Sequence, residues 1–355
     1  MNWLKTSLGI SSLVVSTTVL VGGAIVGPTG MTPNTSPGAA IADLGSLRTS
    51  SAAAESLISQ RLTTDYRVPA LQKDFTGSLW LATWQGQIAR INAETGEVQA
   101  RLTMPDKTIG ALTQDRVGRI WAGTYSGLVR VDPRTNQVTA QNLSLPSNRV
   151  LSLQIDTRGF LWVGTDQGLA MVSPDQGQLM TTMQELSGTS ANVMTLDDDG
   201  HLWVGTLNGL TQVDTARAAE IRVVRDIPGG MVQALARDAQ GALWVGTPEG
   251  LFVVTPEDGS LIRQVTAMLG QNVLSLAFDN NQALWIGTDA ALSTMNPYNG
   301  EIFGQVLGLP GRQTLAISPD TGNKVWIGTS EGLGWVSTTT GRALPHGAFV
   351  NPDSL

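Results

Sequence analysis

The sequence predicts an all-β fold: a seven-bladed β-propeller with four antiparallel strands per blade, preceded by an N-terminal hydrophobic helix and a linker. Three observations predict it. Tryptophan recurs at Trp80, Trp121, Trp162, Trp203, Trp244, Trp285 and Trp326, each 41 residues after the one before. The same short motif surrounds every copy. Glycine is abundant, 40 in 355 residues, as short strands joined by tight turns require. A fixed period of this length outranks local propensity, because a unit that cannot bury its own apolar faces must stack on copies of itself.

The N-terminus comes first in chain order. Lys5 is the one cation near the start, and Leu8 to Gly27 carries no charge. That run matches the roughly 20 residues that cross a bilayer, although several serines, threonines and glycines dilute it. A positive end followed by an apolar run is the pattern of an export signal. Residues 1–27 are therefore expected to be a signal peptide or a membrane anchor. Cleavage after Ala42, where Ala40-Ile41-Ala42 has a small-x-small form, cleavage near Gly23-Ala24, and retention as an anchor all stay open. The rest of the chain is expected in the periplasm or an equivalent lumen. Pro28 to about Ala54 is rich in Pro, Thr, Ser, Gly and Ala, with Asp43 and Arg48 its only charges, so residues 28–55 are assigned as a flexible linker.

Residues 56–345 are assigned to the propeller. An aspartate lies six residues before each tryptophan: Asp74, Asp115, Asp156, Asp197, Asp238, Asp279 and Asp320. Glycine usually follows three residues later, with Gln282 and Asn323 in its place in the last two copies. Asp first and Gly fourth is the signature of a type I turn. The seven carboxylates are therefore structural, one to a loop, and no metal is expected. Ahead of the turn runs an alternating strand whose small position (Ala70, Ala111, Ser152, Val193, Ala234, Ser275, Ala316) suits a crowded innermost strand. Two residues after each tryptophan stands Gly or Ala, on the same face. The missing side chain is expected to make room for an indole or other bulk from a neighbouring sheet. Threonine comes next in every copy, at a strand end where its hydroxyl can form a local hydrogen bond. A hairpin glycine and two further strands complete the blade.

The last copy has a weak fourth strand, because Arg342-Ala343-Leu344-Pro345 ends in a residue that cannot donate to a ladder. Residues 56–63 resemble the fourth strand of the first copy and are expected to close the last blade, which would remove two open edges. Residues 346–355 are left as a C-terminal tail.

Asp-x-x-Gly-x-Leu-Trp-Val-Gly-Thr-x-x-Gly-Leu, clearest at Asp156 to Leu169 and Asp238 to Leu251, resembles the two-component regulator propeller repeat. The resemblance implies a seven-bladed propeller of the kind found in periplasmic sensor parts of hybrid histidine kinases. No kinase-like segment follows here, so signal transfer through the same chain is not expected. The repeats are also similar to those of streptogramin lyases, which implies a histidine and acidic residues with magnesium at the axis. The two histidines, His201 in an inner turn and His346 beyond the last repeat, do not fit that arrangement and are taken as surface residues.

Composition narrows the function. The net charge of −7 disfavours a nucleic-acid partner. The absence of cysteine excludes disulfides, thiolate metal sites and cysteine nucleophiles. No cofactor is expected. Binding is expected on the face that gathers the loops entering each innermost strand and the loops between second and third strands, where the repeat imposes nothing. The first set contributes Arg67, Lys107, Arg149, Met231, Asn272 and Arg312; the second contributes Trp84, Tyr125, Asp166 and Asp289. Aromatic residues beside arginine have the composition of binding hot spots. The expected function is a non-enzymatic binding or scaffold propeller that engages a protein partner or membrane complex. The alternatives are a periplasmic small-ligand sensor module acting with a separate signalling partner and, less favoured, a streptogramin lyase-like enzyme.

Overall fold

The computed structural model describes residues 65–104, 108–142 and 144–352. These residues form seven four-stranded antiparallel sheets, each with its strands in sequence order from first to fourth. The blades span residues 70–103, 109–142, 150–183, 193–224, 234–264, 273–306 and 314–350. The first strand of each blade touches the first strand of the next, and that of blade 7 touches that of blade 1, so the seven make a closed ring. The predicted N-terminal hydrophobic segment, the linker and residues 56–63 lie outside the described residues. Among those described, no helix is long and apolar enough to cross a membrane.

The second strand shows how the motif builds a blade. In Leu161–Thr165 every residue is buried. Trp162 pairs with Gln154 and Gly164 with Ser152, so indole and glycine lie on one face. That face meets the next blade. Trp80 packs on Ile109, Leu112 and Ile120 of blade 2, and Trp203 packs on Leu235, Leu243 and Val245 of blade 5. Trp326 packs on Leu71, Leu79 and Leu81 of blade 1, which closes the ring with the same wedge. A buried Trp removes about 150–250 Å² from water, of order 4–6 kcal/mol per seam as an upper bound.

The small residue two positions after the tryptophan makes room for bulk from the neighbouring blade, as expected, and that bulk is not an indole. A Cβ on Gly205 would stand 2.6 Å from Val232 Cγ1 of blade 5, and one on Gly164 would stand 2.5 Å from the Ala191 carbonyl oxygen of blade 4. The occupant is the entry to the next blade's first strand. The indole cannot be the guest, because it leaves its own strand from the same face.

The repeated aspartate does more than cap its turn. Asp238 Oδ1 accepts the backbone N–H groups of Gln240 and Ala242, at 3.0 and 2.9 Å, while Oδ2 accepts the Trp244 indole N–H at 2.9 Å. The indole bond recurs at Asp74, Asp115, Asp156, Asp197 and Asp279, at 3.0–3.1 Å. Blade 7 departs from it. The Trp326 indole donates to the Thr321 carbonyl at 3.1 Å, and Asp320 Oδ2 instead accepts the Asn280 backbone N–H at 2.7 Å. The structural role predicted for Asp320 is thus corrected: it sits at φ +50°, and the turn closes from Thr321 to Lys324.

The fourth position of blade 7 is filled by Ala343–Val350, which pairs with Gly332–Ser337. This corrects the expectation that the last copy lacks its own fourth strand. Among the described residues this outermost strand pairs on one side, with Gly332–Ser337, so Pro345 is tolerated where the register shifts. The assigned tail is corrected with it, since residues 346–350 belong to this strand and Phe349 is buried in the seam with blade 1. His346 is half-buried in the same seam. Its Nε2 bonds the Gly96 carbonyl at 2.7 Å, and its ring stacks near those of Trp326 and Phe349.

Candidate binding face

The loop face is built by the threonine that ends each second strand. Thr165 Oγ1 donates to the Gly168 carbonyl at 3.0 Å and accepts the Gln167 N–H at 3.2 Å. The same pair of bonds recurs in blades 2, 4 and 5, locking the two variable loop residues between them. In blades 1, 2, 6 and 7 a backbone bond then ties the loop to the entry of its own blade. The Trp84 N–H donates to the Arg67 carbonyl, and the Tyr125 N–H to that of Thr108. A uniform framework therefore presents non-uniform side chains on a fixed spacing.

Across blades 1 to 3 those side chains join into one row. The Arg67 guanidinium lies 4.0 Å from the Trp84 ring centroid. Trp84 meets Tyr125 edge to face, with centroids 5.4 Å apart at 76°. The Arg149 guanidinium lies 4.6 Å from the Tyr125 centroid. Each such cation–π contact is worth about 0.5–2 kcal/mol, more as water is excluded. All four residues are half-buried, as is Asp166 in blade 3. Burial pushes the Tyr125 phenol above its usual range and Asp166 adds to that, while the adjacent Arg149 guanidinium, through its N–H groups first and its charge second, and the Arg67 charge oppose it. Tyr125 Oη, Arg149 Nε and Asp166 Oδ1 are shielded from water and have no hydrogen-bond partner among the described residues.

Of the residues singled out from sequence, Trp84, Tyr125 and Arg149 are brought together, with Asp166 beside them. Arg67 proves to be part of the row. Its position at the entry of the blade that bears Trp84 was the available signal. Arg312 and Asp289 are exposed in blades 7 and 6, and among the described residues no ion pair or ring contact joins them to the row. The Asp289 N–H donates to the Asn272 carbonyl at 3.2 Å. Lys107 lies outside the described residues.

Among the described residues one group, Asp197, Asp199 and His201, has metal-ligand spacing. It sits on the opposite face, in an inner turn. Asp197 Oδ1 accepts the backbone N–H groups of Asp199 and His201, and Oδ2 accepts Trp203 Nε1 and Gln212 Nε2. With both oxygens bonded to the framework, this carboxylate is a poor ligand.

The architecture is that of a seven-bladed β-propeller whose loop face carries an arginine–aromatic row. Residues 103–126, 144–167, 185–208 and 226–249 match the two component regulator propeller family, each segment running through one of the repeated tryptophans. The chain carries the repeats of that family. Its fold is similar to the extracellular domain of a putative hybrid two component system from B. thetaiotaomicron, with 18% identity and a TM-score of 0.62, over 79% of this chain and 40% of that one. This chain thus spans less than half the length of that relative. A virginiamycin B lyase from Staphylococcus aureus is similar over 74% of this chain and 92% of its own, with 14% identity and a TM-score of 0.64. A streptogramin B lyase is similar over 76% and 93%, also at 14% identity with a TM-score of 0.64. At these identities the likeness is one of fold. No curated protein matches the sequence.

Proposed function

We propose that the chain is a non-enzymatic binding propeller, exported across a membrane, that engages a protein partner through the loop face of blades 1 to 3. The observation that carries this reading is the Arg67–Trp84–Tyr125–Arg149 row, in which half-buried aromatic and arginine side chains are held on a rigid framework. Pre-organised groups of this kind lose little entropy on binding. Export is supported by the positive end and uncharged run of residues 1–27. The repeated carboxylates are engaged in turns, and His201 sits on the opposite face, which supports binding over lyase chemistry.

The test is retention of a membrane-extract protein on the immobilised full chain, compared with a Trp84→Ala/Arg149→Ala variant and with Val117→Ser on the opposite face. Val117 is 70% exposed in an inner turn. A partner held by wild type and by Val117→Ser but lost from the double variant is the expected outcome. Equal retention by all three proteins would refute the assignment of the face.

A further inference from the structure

Arginine placement across the molecule singles out one side chain. Half-buried arginines elsewhere donate to protein oxygens: Arg119 to Asp115 and Asp175, Arg237 to Asp198, and Arg130, Arg222 and Arg263 to carbonyls of the neighbouring blade. Arg90 does the same through Asp74. Among the described residues Arg149 has no carboxylate or carbonyl acceptor for its side chain. It lies over Tyr125, and its Nε is shielded and unbonded. A guanidinium lying over a ring keeps its in-plane N–H groups available, and that fork matches a carboxylate. In the same blade Asp166 Oδ1 is a shielded acceptor with no hydrogen-bond partner among the described residues.

Resting on the binding reading above, we propose that this row docks an acidic peptide segment of the partner, Arg149 taking a side-chain carboxylate and Asp166 a peptide N–H. A peptide supplies both groups a short distance apart. One face of Trp84 is given to Arg67 and one face of Tyr125 to Arg149, so the row offers guanidinium groups where a sugar-stacking site would offer open rings. A phosphate dianion would meet the Asp166 carboxylate at closer charge cost than a carboxylate does.

The probe is a fluorescein-labelled octapeptide of alternating Glu and Gly, compared with its Gln counterpart, titrated into the full chain by fluorescence anisotropy. Wild type is expected to bind the Glu peptide at least tenfold more tightly than the Gln peptide. Arg149→Gln and Arg149→Lys each lose that preference, since the second keeps charge but not the fork. Arg237→Gln, on the opposite face, keeps it. Asp166→Ala weakens the Glu peptide, whereas tighter binding there would mean mere repulsion and overturn the role given to Asp166. Equal affinity for the two peptides, or an equal loss in Arg237→Gln, overturns the proposal. Unchanged melting curves show that the variants are folded. Should the membrane-extract protein be lost from the Trp84/Arg149 double variant while the Glu peptide fails to bind, the binding face stands and the acidic segment falls.

Discussion

The aspartate–indole bond makes opposite predictions at two positions that look alike in sequence. Asp238 and Asp320 each precede their tryptophan by six residues. Asp238 has no ion-pair partner among the described residues, and its three acceptor bonds go to the turn and to the indole N–H of Trp244, a residue only 1% exposed. In Asp238→Asn one half of the side chain becomes a donor. Whichever way the amide turns, an NH₂ faces either the indole N–H or the two backbone N–H groups. A lost charged hydrogen bond together with a stranded buried donor costs about 2–3 kcal/mol. Asp320→Asn breaks nothing of the kind, because the Trp326 indole is held by the Thr321 carbonyl. Asparagine tolerates the left-handed backbone at that site. Burial holds the Asp320 carboxyl above its usual pKa, so at neutral pH its charge opposes folding and removing it does no harm. The expected change there is within about 0.5 kcal/mol. Urea unfolding followed by tryptophan fluorescence reads both variants. Equal losses at the two positions would show that the indole bond is not the source of the cost at Asp238, and the reasoning would fail.

Four further outcomes follow from the same geometry. Gly164→Ala drives a Cβ to 2.5 Å from the Ala191 carbonyl oxygen and should cost about 1–3 kcal/mol by urea unfolding; a neutral result would show that the blades can slide apart. Gln282→Gly relieves a side chain held at φ +62° and should raise stability by about 1 kcal/mol, with a lower urea midpoint as the contrary result. Phe349→Ala opens a cavity in the seam between blades 7 and 1 and should cost about 3 kcal/mol; no change in midpoint would place that seam outside the cooperative fold. Hydrogen bonds from Thr255 and Ser260 hold the Asp258 carboxyl down to about 2. Its contribution to stability is therefore present above its ordinary range near 3.8 and fades as pH falls through about 2. NMR titration of that carboxyl checks this, and an ordinary midpoint would contradict the turn geometry.

The architecture was legible because each seam is made by one residue type at one spacing. A tryptophan every 41 residues, with a small residue two positions on, leaves little choice but stacked sheets. What the small residue faces was not legible, since facing it is a property of two blades; the guest is Val232 or Ala191, just before the next blade's first strand, rather than an indole. The aspartate–indole bond was hidden differently. The spacing of six was visible, but only antiparallel pairing folds Oδ2 back onto the ring. Pro345 misled because the ladder rule weighs least at an outermost strand. On the loop face, aromatic and arginine residues stood out against an invariant frame, so Trp84, Tyr125 and Arg149 were findable. That Arg67 joins them and Asp289 does not is set by which blades are neighbours and which loops lean together.

The central claim is that the repeat supplies a frame while the loops of blades 1 to 3 choose the partner. Photocrosslinking tests it most directly. A benzophenone side chain is placed at Ser126, exposed beside Tyr125, or at Val117, exposed in the inner turn of the same blade at the opposite face. Irradiation in the intact membrane should give a discrete adduct from position 126 and none from position 117. An adduct from position 117 alone, or equal adducts from both, would contradict the account.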